Sequence, residues 1–226
     1  AKPVAVPGHP DALGSVYAVD ARGTKLTTVR SFIAQGPYVL MQLAQSPDGP
    51  DPATALVAKA IDAQTGAIAP FKPTEPAAMG SVPIDPTGLL ALTLIADSGT
   101  NAQNAAYTGT AALHFQSNPI ASTKLFQDNG VTEVALAKTN VYQAKDPWSA
   151  VNVANAFGKE VSEDGTQAAD PVPALPLSRC IMLVKPKQQF YCVAPAGNYA
   201  IEARGTDLRD VHEQVAAQYI LLTTKP

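Results

Sequence analysis

Charge is scarce in this sequence. Asp, Glu, Lys and Arg make up only 15% of its 226 residues, and the formal net charge is −3. Nucleic-acid binding needs a basic stripe, and none is present; the longest basic cluster, Lys185-Pro186-Lys187, reads as a solvated turn. No run approaches 18 apolar residues, so no transmembrane helix is encoded. Histidine is confined to positions 9, 114 and 212, none spaced with another His or Cys as a metal pair would be. Neither a metal nor a cofactor is therefore expected. The Gly-x-Ser-x-Gly elbow, the phosphate-binding loop and the Gly-x-Gly-x-x-Gly fingerprint are all missing, which leaves no catalytic motif.

What remains is a globular composition, 46% hydrophobic, with much Ala and Pro. Four times a short apolar strand runs into a capping residue and then a helix. The passages are Tyr38–Gln45 into Asp51–Gly66, Ala111–Gln116 into Asn118–Gln127, Asn140–Ala144 into Asp146–Val161, and Tyr199–Ala203 into Thr206–Leu222. That repetition predicts an α+β fold, a mainly antiparallel sheet with helices packed on one face. Across residues 108–184 the order reads βαββαβ, a ferredoxin-like pattern. The last helix is the clearest, since Leu208, Val211, Val215, Tyr219 and Leu222 form one apolar stripe.

Residues 1–15 start abruptly in a Pro-rich stretch without a signal-peptide pattern and read as a lead-in or linker of a mature or truncated chain. Ser15–Asp20 and Lys25–Ile33 suit a hairpin around Gly23. Residues 16–226 read as one domain, interrupted by a Pro-rich crossing loop at 67–88 and with a sub-boundary conceivable near 67–107. Leu89–Ile95 fits either a strand or a short helix; Asp97–Asn104 and Ser162–Ser178 read as loops.

The most specific pair is Cys180 and Cys192. If Lys185–Lys187 is a turn between two antiparallel strands, counting outward sets Cys180 opposite Cys192, within reach of a disulfide. A cross-strand disulfide implies an oxidising, extracytoplasmic compartment. Two inert buried thiols and half of a metal site are the alternatives. Other candidates are weaker. His114 alternates with Leu113 and Phe115, and His212 rims the stripe of the last helix; a core or surface role is the ordinary reading of each. Glu160, Glu163 and Asp164 suit a solvated surface. Trp148, the only tryptophan, ordinarily packs on a sheet edge, but a partly exposed Trp would contact a ligand or partner.

Several phrases carry a resemblance. Val6-Pro-Gly-His-Pro-Asp-Ala12, Ser31–Val39, Asp85–Ala91, Ala112–Gln116, Val141–Asp146 and Val211–Tyr219 look like those of a family of uncharacterised mycobacterial cell-envelope lipoproteins. Arg179-Cys180 and Phe190-Tyr-Cys-Val193 resemble that family's cysteines. The resemblance spans nearly the whole chain and carries no catalytic assignment. Members are longer, with a lipoprotein signal, a lipid-bearing cysteine and a further α/β segment, so this chain corresponds to their C-terminal part. The implied role is a non-catalytic extracytoplasmic domain binding an envelope lipid or protein partner, with membrane association only through an upstream lipid anchor. The rivals are an enzyme assembled around His114 or His212 and a structural subunit of an envelope assembly. An enzyme would need either histidine in a cleft, within reach of a carboxylate and a nucleophile.

Overall fold

A computed structural model describes residues 1–21, 23–99, 103–162, 166–184 and 188–224. The chain is α+β, with antiparallel sheets of four and seven strands. It divides into two compact units, Ala1–Gly80 and Ser81–Pro226, at a point within the 67–107 stretch read from the sequence as a sub-boundary. Strand and helix periodicities do not say which strands close with which, and each sheet here closes over its own helices.

The first unit is a meander of β1 (Lys2–Val4), β2 (Leu13–Ala21), β3 (Thr24–Gln35) and β4 (Tyr38–Ser46), followed by α1 (Pro50–Ile68). Alternation in β3 sends Val29 to one face, where Val57 and Ile61 of α1 cover it. The supposed lead-in is part of this fold. Lys2 pairs with Val16 and Val4 with Gly14, Val6 is buried, and His9 Nε2 lies 3.2 Å from Asp62 Oδ1. Proline did not forbid the strand because β1 is an edge, where a missing N–H goes unnoticed. Gly14 is needed there, since a Cβ at that position would lie 2.4 Å from the Val4 carbonyl oxygen.

The second unit holds β5 (Ala105–Thr108), α2 (Gly109–Ala112), α3 (Pro119–Asn129), β6 (Glu133–Leu136), β7 (Asn140–Gln143), α4 (Pro147–Val161), β8 (Thr166–Ala169), β9 (Arg179–Leu183), β10 (Gln189–Ala196), β11 (Tyr199–Gly205) and α5 (Leu208–Thr223). The chain runs β5, helices, β6, β7, α4 as the βαββαβ order requires, with β8 inserted before the expected strand β9, but the strands lie as β5-β6-β7-β11-β10-β9-β8, with every neighbour antiparallel. After α4 the chain reaches the far edge and meanders back until β11 pairs with β7.

Helices cover both faces of this sheet rather than one. Val153 and Phe157 of α4 and Phe126 of α3 pack on Tyr142, Ile181, Tyr191, Val193 and Ala200. On the other face Val211 and Val215 of α5 pack on Cys180, Cys192, Ala194, Ile201 and Ala203, flanked by Leu208, Tyr219 and Leu222 as the stripe predicts. Central strands buried on both faces read as continuous apolar runs, which hides the second helix layer from sequence patterning.

Other local differences have local causes. Ala111–Gln116, expected as a strand, is helical: α2 followed by a 3-10 turn at Leu113–Phe115. Thr108 caps α2 by accepting the Ala111 N–H at 3.2 Å, and the strand falls earlier, at β5. Leu90–Leu92 is a 3-10 turn, held by the Asp85 carboxylate on the N–H groups of Leu90 and Ala91. β8 lies within the supposed loop 162–178. The Lys185–Lys187 turn, Glu163 and Asp164 fall outside the described residues.

Candidate functional site

β11 carries three residues of alternating register, Ala200, Glu202 and Arg204, toward the α4 face. Ala200 continues the apolar layer. Glu202, two residues on, places a carboxylate inside it, with a side chain only 8% exposed. A buried charge is tolerable only when its lone pairs are satisfied, and here the neighbouring strands supply the donors. Tyr142 on β7 donates its hydroxyl to Glu202 Oε2 at 2.7 Å, and Asn140 Nδ2 donates to the same oxygen at 3.0 Å. Arg204 Nη2 donates to Oε1 at 3.1 Å. The Arg204 guanidinium also sits 4.9 Å from the Tyr191 ring centroid, a cation–π distance.

The electrostatics follow from that packing. Burial pushes the Tyr142 hydroxyl well above its ordinary pKa, and the Glu202 charge raises it further. Tyr191 is raised by the same two causes. Burial is the largest single influence on Arg204 and works to lower it, but the Glu202 carboxylate together with Tyr191 and Tyr142 raises it above its ordinary value. Both phenols therefore keep their protons, and can donate them, across ordinary pH.

Over this cluster lies an open cleft of about 290 Å³, walled by Gln103, Phe115, Gln116, Ser117, Asn140 and Arg204. Gln116 Nε2 reaches the Tyr142 hydroxyl at 3.5 Å, and Phe115 stacks on Tyr107 with centroids 4.8 Å apart. Glu202 is saturated by its protein partners. The free hydrogen-bonding capacity belongs to the neutral amides, Ser117 and the outward side of Arg204. Such a lining can hold a polar, uncharged ligand against an aromatic wall. For chemistry it offers little: among the described lining residues there is no histidine to activate Ser117.

The residues singled out from sequence lie elsewhere. Cys180 and Cys192 form a disulfide, directly opposed in the β9–β10 register as counted. They lie on the α5 face, away from the cleft. His212 lies within 4.8 Å of both sulfurs, but these are bonded to each other, and its Nε2 sits 2.9 Å from the Asp170 carbonyl oxygen. The metal reading of the cysteines therefore lapses while that bond is intact. His114 is exposed on the Leu113–Phe115 turn and does not line the cleft. Among the described residues, neither histidine lines that cleft. Trp148 is 74% exposed at the start of α4 and packs on no sheet edge.

Sequence reasoning missed Tyr142, Asn140, Glu202 and Arg204. One signal was available, namely two charges spaced i, i+2 in the otherwise apolar strand Tyr199–Gly205.

Among the described residues no helix is long and apolar enough to cross a membrane. Neither a curated protein nor a solved structure matches this chain. Two family models do, described as the N-terminal and C-terminal parts of a domain of unknown function, DUF7373, over residues 1–84 and 89–225. Together they take in nearly all of the sequence, and the chain belongs to that family.

Proposed function

We propose that this chain is a non-catalytic, extracytoplasmic binding module of the cell envelope, and that the cleft over Glu202 holds the hydroxyl-rich headgroup of an envelope lipid. The cleft carries this reading: neutral amides and a hydroxyl beside an aromatic wall, over a carboxylate whose partners fix it in place. Hydroxyl groups donate and accept in turn, as Gln103, Gln116, Asn140 and Ser117 do. The disulfide supports an oxidising compartment. The likeness in wording to mycobacterial lipoproteins supports the envelope, with a lipid anchor outside these residues. The acyl chains of the ligand would stay in the membrane, since the cleft is shallow and half polar. Nucleic acid has no complementary surface in a chain of net charge −3.

Native mass spectrometry of protein purified gently from its own source, with lipid extraction in parallel, tests this. A polar lipid should accompany the wild type and be lost from Gln116→Ala/Ser117→Ala, which gives up only the long 3.5 Å contact of Gln116 with the Tyr142 hydroxyl. A wild type free of any small molecule, or a ligand retained by the double variant, would overturn the headgroup reading.

A further inference from the structure

The first unit carries a surface that the headgroup reading leaves unused. Its sheet has two edges of different character. β1 is three residues long and contains Pro3, and both features blunt an edge. β4 runs for nine residues, Tyr38–Ser46, without a charge, a proline or a glycine. Alternate residues of such a strand turn their N–H and C=O groups away from the neighbouring strand, unpaired.

The same strand is apolar on its open face. Val39, Met41 and Leu43 are 70%, 57% and 50% exposed on the side opposite α1. The register sets Met41 beside Phe32, and Phe32 beside Leu13, both exposed as well. A scattered exposed leucine needs no explanation. A contiguous apolar row ending on an unguarded edge does, because folded proteins cover or charge such edges.

We propose that β4 pairs with β4 of a second copy of this chain, antiparallel about a two-fold axis through Gln42. An isologous contact requires a patch that fits itself, and this strand does. With the axis at Gln42, Met41 meets Leu43 of the second copy, Leu43 meets Met41, and Val39 meets Gln45. No charge on β4 opposes its own image. The axis stands normal to the sheet, so two four-stranded sheets become one of eight strands, with both α1 helices on one face; on the other, each Leu13–Phe32–Met41 row ends against Leu43 of the second copy, whose own neighbour is Arg30. A single strand pair is smaller than the roughly 800 Å² per partner of a standard stable interface, so the association is weak and concentration-dependent.

Sedimentation velocity of the full chain across micromolar concentrations tests the pairing. The wild type should pass from monomer to dimer. Met41→Lys should weaken the dimer by more than about tenfold, since a lysine on an edge strand opposes pairing, and its thermal midpoint should be unchanged because Met41 is exposed in the single chain. Leu13→Lys, on the same face but two strands from the edge, should leave the dimer intact. In hydrogen exchange, β4 amides should slow with concentration in the wild type only. A wild type that stays monomeric would overturn the proposal and leave the edge to a strand of another protein. A dimer indifferent to Met41→Lys, or dissolved equally by Leu13→Lys, would also overturn it. None of these outcomes bears on the cleft over Glu202.

Discussion

Replacing Tyr142 with phenylalanine removes one oxygen atom from the centre of the second unit and leaves the ring packing as it was. The ring keeps its neighbours Phe157 and Phe126, with centroids at 4.7 and 5.9 Å, so no cavity opens. What is lost is the buried hydroxyl bond to Glu202 Oε2, together with the long 3.5 Å contact accepted from Gln116 Nε2. Hydrogen bonds to charged groups contribute about 1.5–3 kcal/mol. Asn140 stays on Oε2 and Arg204 on Oε1, so the carboxylate is weakened but not stranded, and the expected cost is about 2 kcal/mol. That corresponds to a rise of roughly 30-fold in the opening equilibrium, readable as faster amide exchange in β7 and β11, which reports on this unit alone.

In a Glu202→Gln background the partner is neutral and the same replacement should cost only about 1 kcal/mol. The alkaline limb adds a second check. An unfolded tyrosine loses its proton near 10.0, whereas burial and the Glu202 charge hold folded Tyr142 protonated well above that. The contribution of this hydroxyl is thus whole below pH 10 and declines as pH rises toward the folded value, so wild type and Tyr142→Phe should converge on the alkaline side. A cost below about 0.5 kcal/mol, the noise of neutral surface substitutions, would refute the reasoning. So would an equal cost with and without the Glu202 charge.

The other expectations are simpler. Cys180→Ala with Cys192→Ala opens a loop closed across 12 positions, which should cost about 3 kcal/mol on the chain-entropy model; urea unfolding with and without reductant measures it, and wild type plus reductant should behave as the double variant. Trp148→Ala should change stability by less than about 0.5 kcal/mol because the ring is exposed; a larger loss in thermal melts would return it to the core, whereas binding lost at full stability would give it a contact role. Asp146 caps α4 by accepting the Ser149 N–H at 2.7 Å, and that bond holds its carboxyl below the ordinary 3.8. The charged cap is therefore fully present above that pH and fades as pH falls, so Asp146→Asn, which keeps the cap without the charge, should flatten the acid limb of an unfolding titration.

Why the disulfide and the last helix were legible in the sequence while the cleft was not comes down to the range of the interactions. Cys180 and Cys192 belong to adjacent antiparallel strands, so counting outward from one turn sets their register, and Leu183 pairs with Gln189 as that count requires. The α5 stripe is a property of one helix and needs no partner to be seen. Local chemistry also explains the failures near Thr108 and Pro3, where a hydroxyl cap and an edge position overrode the pattern of apolar residues. The Glu202 cluster is different in kind. Tyr142 and Glu202 stand 60 residues apart, brought together only because the chain reaches the far edge of the sheet after α4 and returns to lay β11 against β7. Alternation shows that Glu202 and Arg204 share a face, but not that a phenol and an amide wait on the adjoining strand to satisfy the buried charge. A site whose parts meet through strand order, rather than through spacing along one element, leaves in a single sequence only its least expected mark: a charged pair in a strand that otherwise reads as core.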